Sequence, residues 1–260
     1  MAEFSTSTVL WNREGFDGAC ARIADLGIRH VDVWQVKGWC EHLADGARAA
    51  ERTLNRHDLK LSAISAFHAD PKEMIELLSV LKDLDGSVLI AGSAKPDVGL
   101  AEFVESIRPV VERAAALGVT FAVENHGNAC VDSTASIVEL TEALPGPGLG
   151  IALAPPHLFR RGEDTVAAIH QLHNRIAFFY LWDWATSTET RDASSQFLGS
   201  GEIDYAPIIA AIEGAGLTIP LNLFAHGAEH WPGDKTRESL RNARDYAERL
   251  RTSVKGSAHG

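Results

Sequence analysis

Short apolar runs alternate along this chain with longer stretches whose apolar positions recur every three or four residues, with a repeat of roughly 30 residues. The runs are Thr8–Asn12, His30–Trp34, Lys60–Phe67, Ser87–Ala91, Val119–Glu124, Gly150–Leu153, Ile176–Trp182 and Ile219–Phe224. Each is rich in Val, Ile, Leu or Phe, as a strand covered on both faces should be. The intervening stretches predict helices at Phe16–Leu26, Leu43–Asn55, Pro71–Asp83, Leu100–Leu117, Thr134–Leu144, Thr165–His173, Tyr205–Ala215 and Lys235–Arg251.

The punctuation supports this phasing. Gly27, Gly118 and Gly216 fall just after helices, where a left-handed C-terminal residue is favoured. Asp70-Pro71 and Ser133 stand where N-caps belong. Eight strand–helix units in one chain predict an α/β fold, a single (β/α)8 TIM barrel over residues 1–252, with an unstructured tail at 253–260. The competing open doubly wound sheet normally carries a Gly-rich phosphate turn after its first strand. Here that strand runs into LWNREGF, with no such turn.

At 260 residues, 45% hydrophobic and 23% charged, the chain has ample material for one core. No run approaches ~18 consecutive apolar residues, so no membrane partner is expected. The start, MAEFSTSTVLW, lacks the basic and long apolar regions of a signal peptide. Cys20, Cys40 and Cys130 are too few and too scattered for a disulfide framework, which makes the cytoplasm the expectation. A net charge of −11, spread along the chain, argues against a nucleic-acid partner, because phosphate binding needs a basic surface. Composition leaves open a homo-oligomer.

In a barrel the chemistry sits at the carboxyl ends of the strands. Those ends collect Trp11, Trp34, His68, Glu124, Asn125, His126, His157, Tyr180, Trp182, Asp183, Asn222 and His226, with Arg160 nearby. One His or Trp in such a place is ordinarily packing or a satisfied structural group. Four His, two acids and several Trp together exceed what packing requires. Polar groups between aromatic walls suit a polyhydroxylated ligand, whose C–H faces pack on rings while its hydroxyls take hydrogen bonds. The polar segment Trp184–Ser195 is long for its place and reads as a lid. No GxSxG, HExxH or P-loop occurs.

Four segments in order, FAVENHG (residues 121–127), GIALAPPHLFRRGED (150–164), YLWDW with FLGSGEIDY (180–184 and 197–205) and IPLNLFAHG (219–227), resemble the xylose-isomerase-like barrels of the sugar phosphate isomerase/epimerase superfamily. That resemblance implies the barrel fold and proton transfer between adjacent sugar carbons. It also implies one divalent cation held by Glu, Asp, His and Glu at strands five to eight. Carried over position by position, Glu124 matches, while Ala154, Tyr180 and Asn222 stand at the other three. His157 and Asp183, which accompany those positions in the family, are kept.

One carboxylate, a phenol and an amide would hold a hard cation weakly. The expectation is therefore an isomerase-, epimerase- or lyase-like enzyme without the family's metal. Its catalytic residues are Glu124 as base with His157, His126 and Tyr180. Trp11, Trp34, His68, Asn125, Trp182, Asp183, Asn222, His226 and Arg160 line the substrate. A weak or relocated Mn, Mg or Zn site at Glu124 and nearby His126, His157 and His226 is the alternative for the metal. A catalytically silent barrel that binds a sugar-like ligand or serves as a partner subunit is the alternative for the function.

Overall fold

The computed structural model describes residues 3–68, 70–186 and 192–257. Eight parallel strands close into a barrel: β1 Phe4–Ser7, β2 His30–Val36, β4 Lys60–Ser65, β5 Val88–Gly92, β6 Thr120–Glu124, β7 Leu149–Leu153, β8 Ile176–Leu181 and β9 Leu221–Leu223. Neighbours follow chain order, and β1 pairs in parallel with both β9 and β2 to complete the circle. A two-residue strand, β3 Cys40–Glu41, adds antiparallel to β2 just above the rim. Among the described residues, nine α-helices accompany the barrel. None is long and apolar enough to cross a membrane.

The first strand lies earlier than the apolar pattern predicts. Thr8–Glu14, which contains the expected Thr8–Asn12 strand, is 3-10 helix, and the strand is Phe4–Ser7. Ser5, Thr6 and Ser7 are polar but fully buried, because each hydroxyl has a partner inside the barrel. Ser5 donates to Asn222 Oδ1 at 3.0 Å, Thr6 to the Leu223 carbonyl at 2.7 Å and Ser7 to Asp32 Oδ2 at 2.7 Å. Hydroxyls satisfied across strands can replace apolar side chains in a barrel wall.

The helix signals hold at their ends. Asp70 accepts from Glu73 N–H, and Ser133 forms a reciprocal capping box with Ser136. Gly118 closes the helix Leu100–Leu117 at φ 67°, which L side chains rarely adopt. The predicted helix Leu43–Asn55 starts later, at Ala47, because Gly46 at φ 81° stands outside helical geometry. A short helix that the pattern did not predict, α6 Pro155–Arg160, follows β7 with Pro at its first position and carries His157. The last helix, α9, runs Gly233–Ser257, into the stretch expected to be unstructured. Of the expected lid Trp184–Ser195, residues 187–191 lie outside the described residues.

Candidate functional site

Aromatic rings form a continuous belt at the carboxyl ends of the strands. Trp34 stacks on Phe224 with ring centres 5.8 Å apart and an interplanar angle of 8°. Phe224 meets His226 at 4.7 Å, and His226 meets Trp182 at 4.7 Å. Trp182 meets His157 at 5.3 Å, and His157 meets His126 at 4.4 Å. Trp39, 47% exposed, stands edge-on to Trp34 at 5.6 Å. Arg160 is solvent-exposed, and its guanidinium lies 4.4 Å from the Trp184 ring centre.

Glu124 ends β6, directly across from Ala152 of β7 and Gly92 of β5. Its side chain is buried and takes no hydrogen bond or ion pair among the described residues. Burial, and after it the charge of Asp32, pushes its carboxyl up to about 8.

His157 is buried as well. Its Nδ1 accepts from Gly127 N–H at 3.4 Å, which leaves the ring proton on Nε2. Among the described residues that Nε2 has no partner, and neither does the buried Nε1–H of Trp182. Burial first, then His126, His226 and Arg160, hold His157 well below the ordinary imidazole range, so the ring is neutral. Two buried N–H donors without acceptors are costly and need an explanation.

Beneath these groups lies a buried polar chain centred on Asp32, an acid that the sequence reading did not single out. Asp32 accepts from Ser7 Oγ at 2.7 Å, Ser65 Oγ at 2.8 Å and Trp34 Nε1 at 2.9 Å. Ser7 in turn accepts from Asn222 Nδ2 at 2.9 Å, and Ser65 lies 3.5 Å from the Tyr180 hydroxyl. Burial pushes Asp32 up to about 6 despite its three donors. The signal was present in HVDVW, an acid in the middle of an apolar strand. Tyr180 is raised well above the ordinary phenol range by burial, then by Asp32 and Glu124.

The other candidates divide by what they touch. Both polar atoms of the Asn125 side chain engage the Ala154 backbone, at 2.8 and 3.1 Å, tying the ends of β6 and β7 together. Asp183 accepts from the backbone N–H groups of Trp184, Gly199 and Ile203, which folds the Gly-rich turn over β8. A Cβ at Gly201 would stand 2.3 Å from Asp183 Oδ1, so that turn leaves no room for a side chain. Trp11 is buried and donates to the Gly233 carbonyl at the start of α9. His68 is exposed and left-handed at φ 69°. His126, His157, Trp34, Trp182 and His226 share the belt, whereas Trp11 and His68 make no ring contact with it. A separate cavity of about 400 Å³, lined by Phe16, Asp17, Glu41, His42 and Thr53 among others, lies between α1 (Gly15–Asp25) and α2 (Ala47–Arg56). It contains none of the belt residues.

The four positions at which the resemblance to xylose-isomerase-like barrels implies cation ligands here offer one carboxylate, a methyl group, a phenol and an amide. The amide of Asn222 is occupied through both polar atoms by Ser5 and Ser7. Among the described residues, no three His, Cys, Asp or Glu are grouped so that they could hold an ion. Hard divalent cations need six or so oxygen donors with negative charge. The donor set does not fit one.

The profile of the xylose isomerase-like TIM barrel family matches residues 20–246, and the chain belongs to that family. No curated protein matches it. Among solved structures it is similar to L-ribulose 3-epimerase, at 16% identity and a TM-score of 0.82 over 100% of this chain and 97% of that one. It is also similar to the probable 3-DHS dehydratase AsbF of petrobactin synthesis from Bacillus anthracis, at 18% identity and a TM-score of 0.73 over 92% and 97%. A third is the IOLI protein with a binding zinc atom, at 14% identity and a TM-score of 0.77 over 94% and 97%. At such identities the likeness establishes the fold.

Proposed function

We propose that this xylose isomerase-like barrel moves a proton at a carbon beside the carbonyl of a small polyhydroxylated substrate, as a sugar isomerase, epimerase or related lyase, without a divalent cation. One arrangement carries the reading. A buried carboxylate without a hydrogen-bond partner among the described residues shares the carboxyl-end face of the barrel with two buried N–H donors that also lack one there. A base and a pair of oxyanion donors are the two things enolisation needs.

In this reading the ionised form of Glu124, which grows as pH rises toward about 8, takes the proton from the carbon next to the carbonyl. His157 Nε2–H and Trp182 Nε1–H hydrogen-bond the carbonyl oxygen as negative charge grows on it, and a neutral imidazole is the right donor for that task. Returning the proton to the former carbonyl carbon, while the proton of the adjacent hydroxyl passes to the former carbonyl oxygen, isomerises the sugar. Return to the opposite face of the same carbon epimerises it, and loss of a β-hydroxyl makes the reaction an elimination. The belt from Trp34 to His126 packs the C–H faces of the substrate. Structural neighbours named as an epimerase and a dehydratase fit this class of chemistry.

The test is a panel of aldoses, ketoses and hydroxy-keto acids offered to protein stripped with a chelator. Turnover by the wild type and none by Glu124→Gln supports the reading. Turnover that returns only with Mn²⁺ contradicts the metal-free part. Binding without turnover by the wild type makes the barrel a sugar binder instead.

A further inference from the structure

Asp32 has no part in the proton transfer just described, yet it is a fully buried carboxylate. Its hydrogen-bond partners are two hydroxyls and an indole, with no cation among them. A barrel interior filled by apolar side chains would be at least as stable as one holding this charge. The reason for Asp32 therefore lies in what it does to the groups around it.

Counting protons gives that effect. A serine hydroxyl has one proton to donate. Ser65 gives its proton to Asp32 Oδ1, so at the contact with Tyr180 the serine can only accept and the tyrosine donates. Ser7 gives its proton to Asp32 Oδ2 and accepts from Asn222 Nδ2. Both branches run one way, toward Asp32. They end on Tyr180 and Asn222, two of the three residues that replace cation ligands of the family. The Tyr180 hydroxyl proton and one of the two Asn222 Nδ2 protons are thereby committed toward Asp32 through one serine each, and among the described residues neither side chain bonds Glu124.

We propose that Asp32 is a positioning residue that, acting through Ser65, fixes the Tyr180 hydroxyl with its proton directed to the serine rather than to Glu124. Glu124 is thus left without a tethering donor and open to the substrate. This assignment rests on the proton-transfer reading for its consequence, but not for its geometry.

The chain has three tyrosines, so 3-fluorotyrosine labelling gives three ¹⁹F signals, and Tyr180→Phe identifies the relevant one. Ser65→Ala is expected to move the Tyr180 signal and to leave those of Tyr205 and Tyr246 in place. Ser65→Thr, which keeps the hydroxyl, and Ser7→Ala, on the other branch, are expected to leave Tyr180 unmoved. Should Ser65→Ala fail to fold, Ser65→Cys, a weaker donor and acceptor, is expected to move the signal in its place. On a turned-over substrate, Ser65→Ala should lower kcat about tenfold, one hydrogen bond's worth, with KM within about twofold and recovery in Ser65→Thr. A Tyr180 signal that ignores Ser65 overturns the positioning, and a moved signal with unchanged kcat overturns its role in the reaction. A wild type inert toward every substrate overturns the proton-transfer reading, while the ¹⁹F signals still decide the positioning.

Discussion

Glu124→Gln should make the barrel less stable in acid and more stable in base, and the size of the reversal follows from burial. The carboxyl is raised from an ordinary 4.5 to about 8, chiefly by desolvation. A carboxyl whose folded value lies above its unfolded one favours the fold while protonated. That contribution is complete below pH 4.5 and is lost as pH rises through about 8. At about 1.4 kcal/mol per unit, the wild type loses up to about 5 kcal/mol over that window on account of this group. Glutamine cannot ionise, but its buried amide donors go unpaired at a cost of about 1–3 kcal/mol. The variant is therefore the weaker protein below pH 4.5, by roughly that cost, and the stronger one above pH 8, by about 2–4 kcal/mol. Asp32, held at about 6, contributes its own decline with pH to both proteins, and only its repulsion of an ionised Glu124 is lost in the variant. In thermal unfolding followed by circular dichroism, each kcal/mol is about 2–4 °C for a chain of this size. The two midpoints should cross where that loss equals the amide cost, about 1–2 pH units above 4.5. Midpoint curves that stay parallel from pH 5 to pH 9 would mean that Glu124 is neither buried alone nor unpartnered, and the reasoning would fail.

Other changes should separate chemistry from scaffold. His157→Phe removes one of the two unpartnered donors, so kcat should fall by about a hundredfold while the thermal midpoint holds or rises; a lower midpoint with unchanged kcat would reverse that assignment. Asp183→Ala strands the backbone N–H groups of Trp184, Gly199 and Ile203 and should cost about 3 kcal/mol or more in urea unfolding. An unchanged urea midpoint would show that the Gly-rich turn does not depend on this carboxylate. Gly201→Ala, whose Cβ would meet Asp183 Oδ1 at 2.3 Å and the Trp184 carbonyl at 2.6 Å, should destabilise the same turn. Limited proteolysis of the segment 197–205 would report that opening.

What could be read from the residues was whatever depends on local pattern. The barrel followed from period and punctuation, and the caps at Asp70, Ser133 and Gly118 stand as the chain spells them. What escaped depends on contacts far apart in sequence. Phe4–Ser7 hid as a strand because Ser5 and Ser7 become core residues only when Asn222 and Asp32 are beside them. Asp32 went unnoticed because its meaning lies largely in Ser7 and Ser65, which reach it from the ends of two neighbouring strands. His126, His157, Trp182 and His226, which strand-end position groups together, are in ring contact with one another. Position alone could not tell a group that faces a ligand from one that holds backbone. Asn125 and Asp183 spend their side chains on neighbouring main chain, a distinction that only three-dimensional donor counting makes.

Solvent-proton exchange tests the central claim most directly. Chelator-treated protein is incubated in D₂O with each sugar of the panel, and deuterium entering the carbon beside the carbonyl is followed by NMR. The account expects at least one substrate to take up deuterium with the wild type and none with Glu124→Gln. Uptake that begins only when a divalent cation is returned, or that persists unchanged in the glutamine variant, would contradict it.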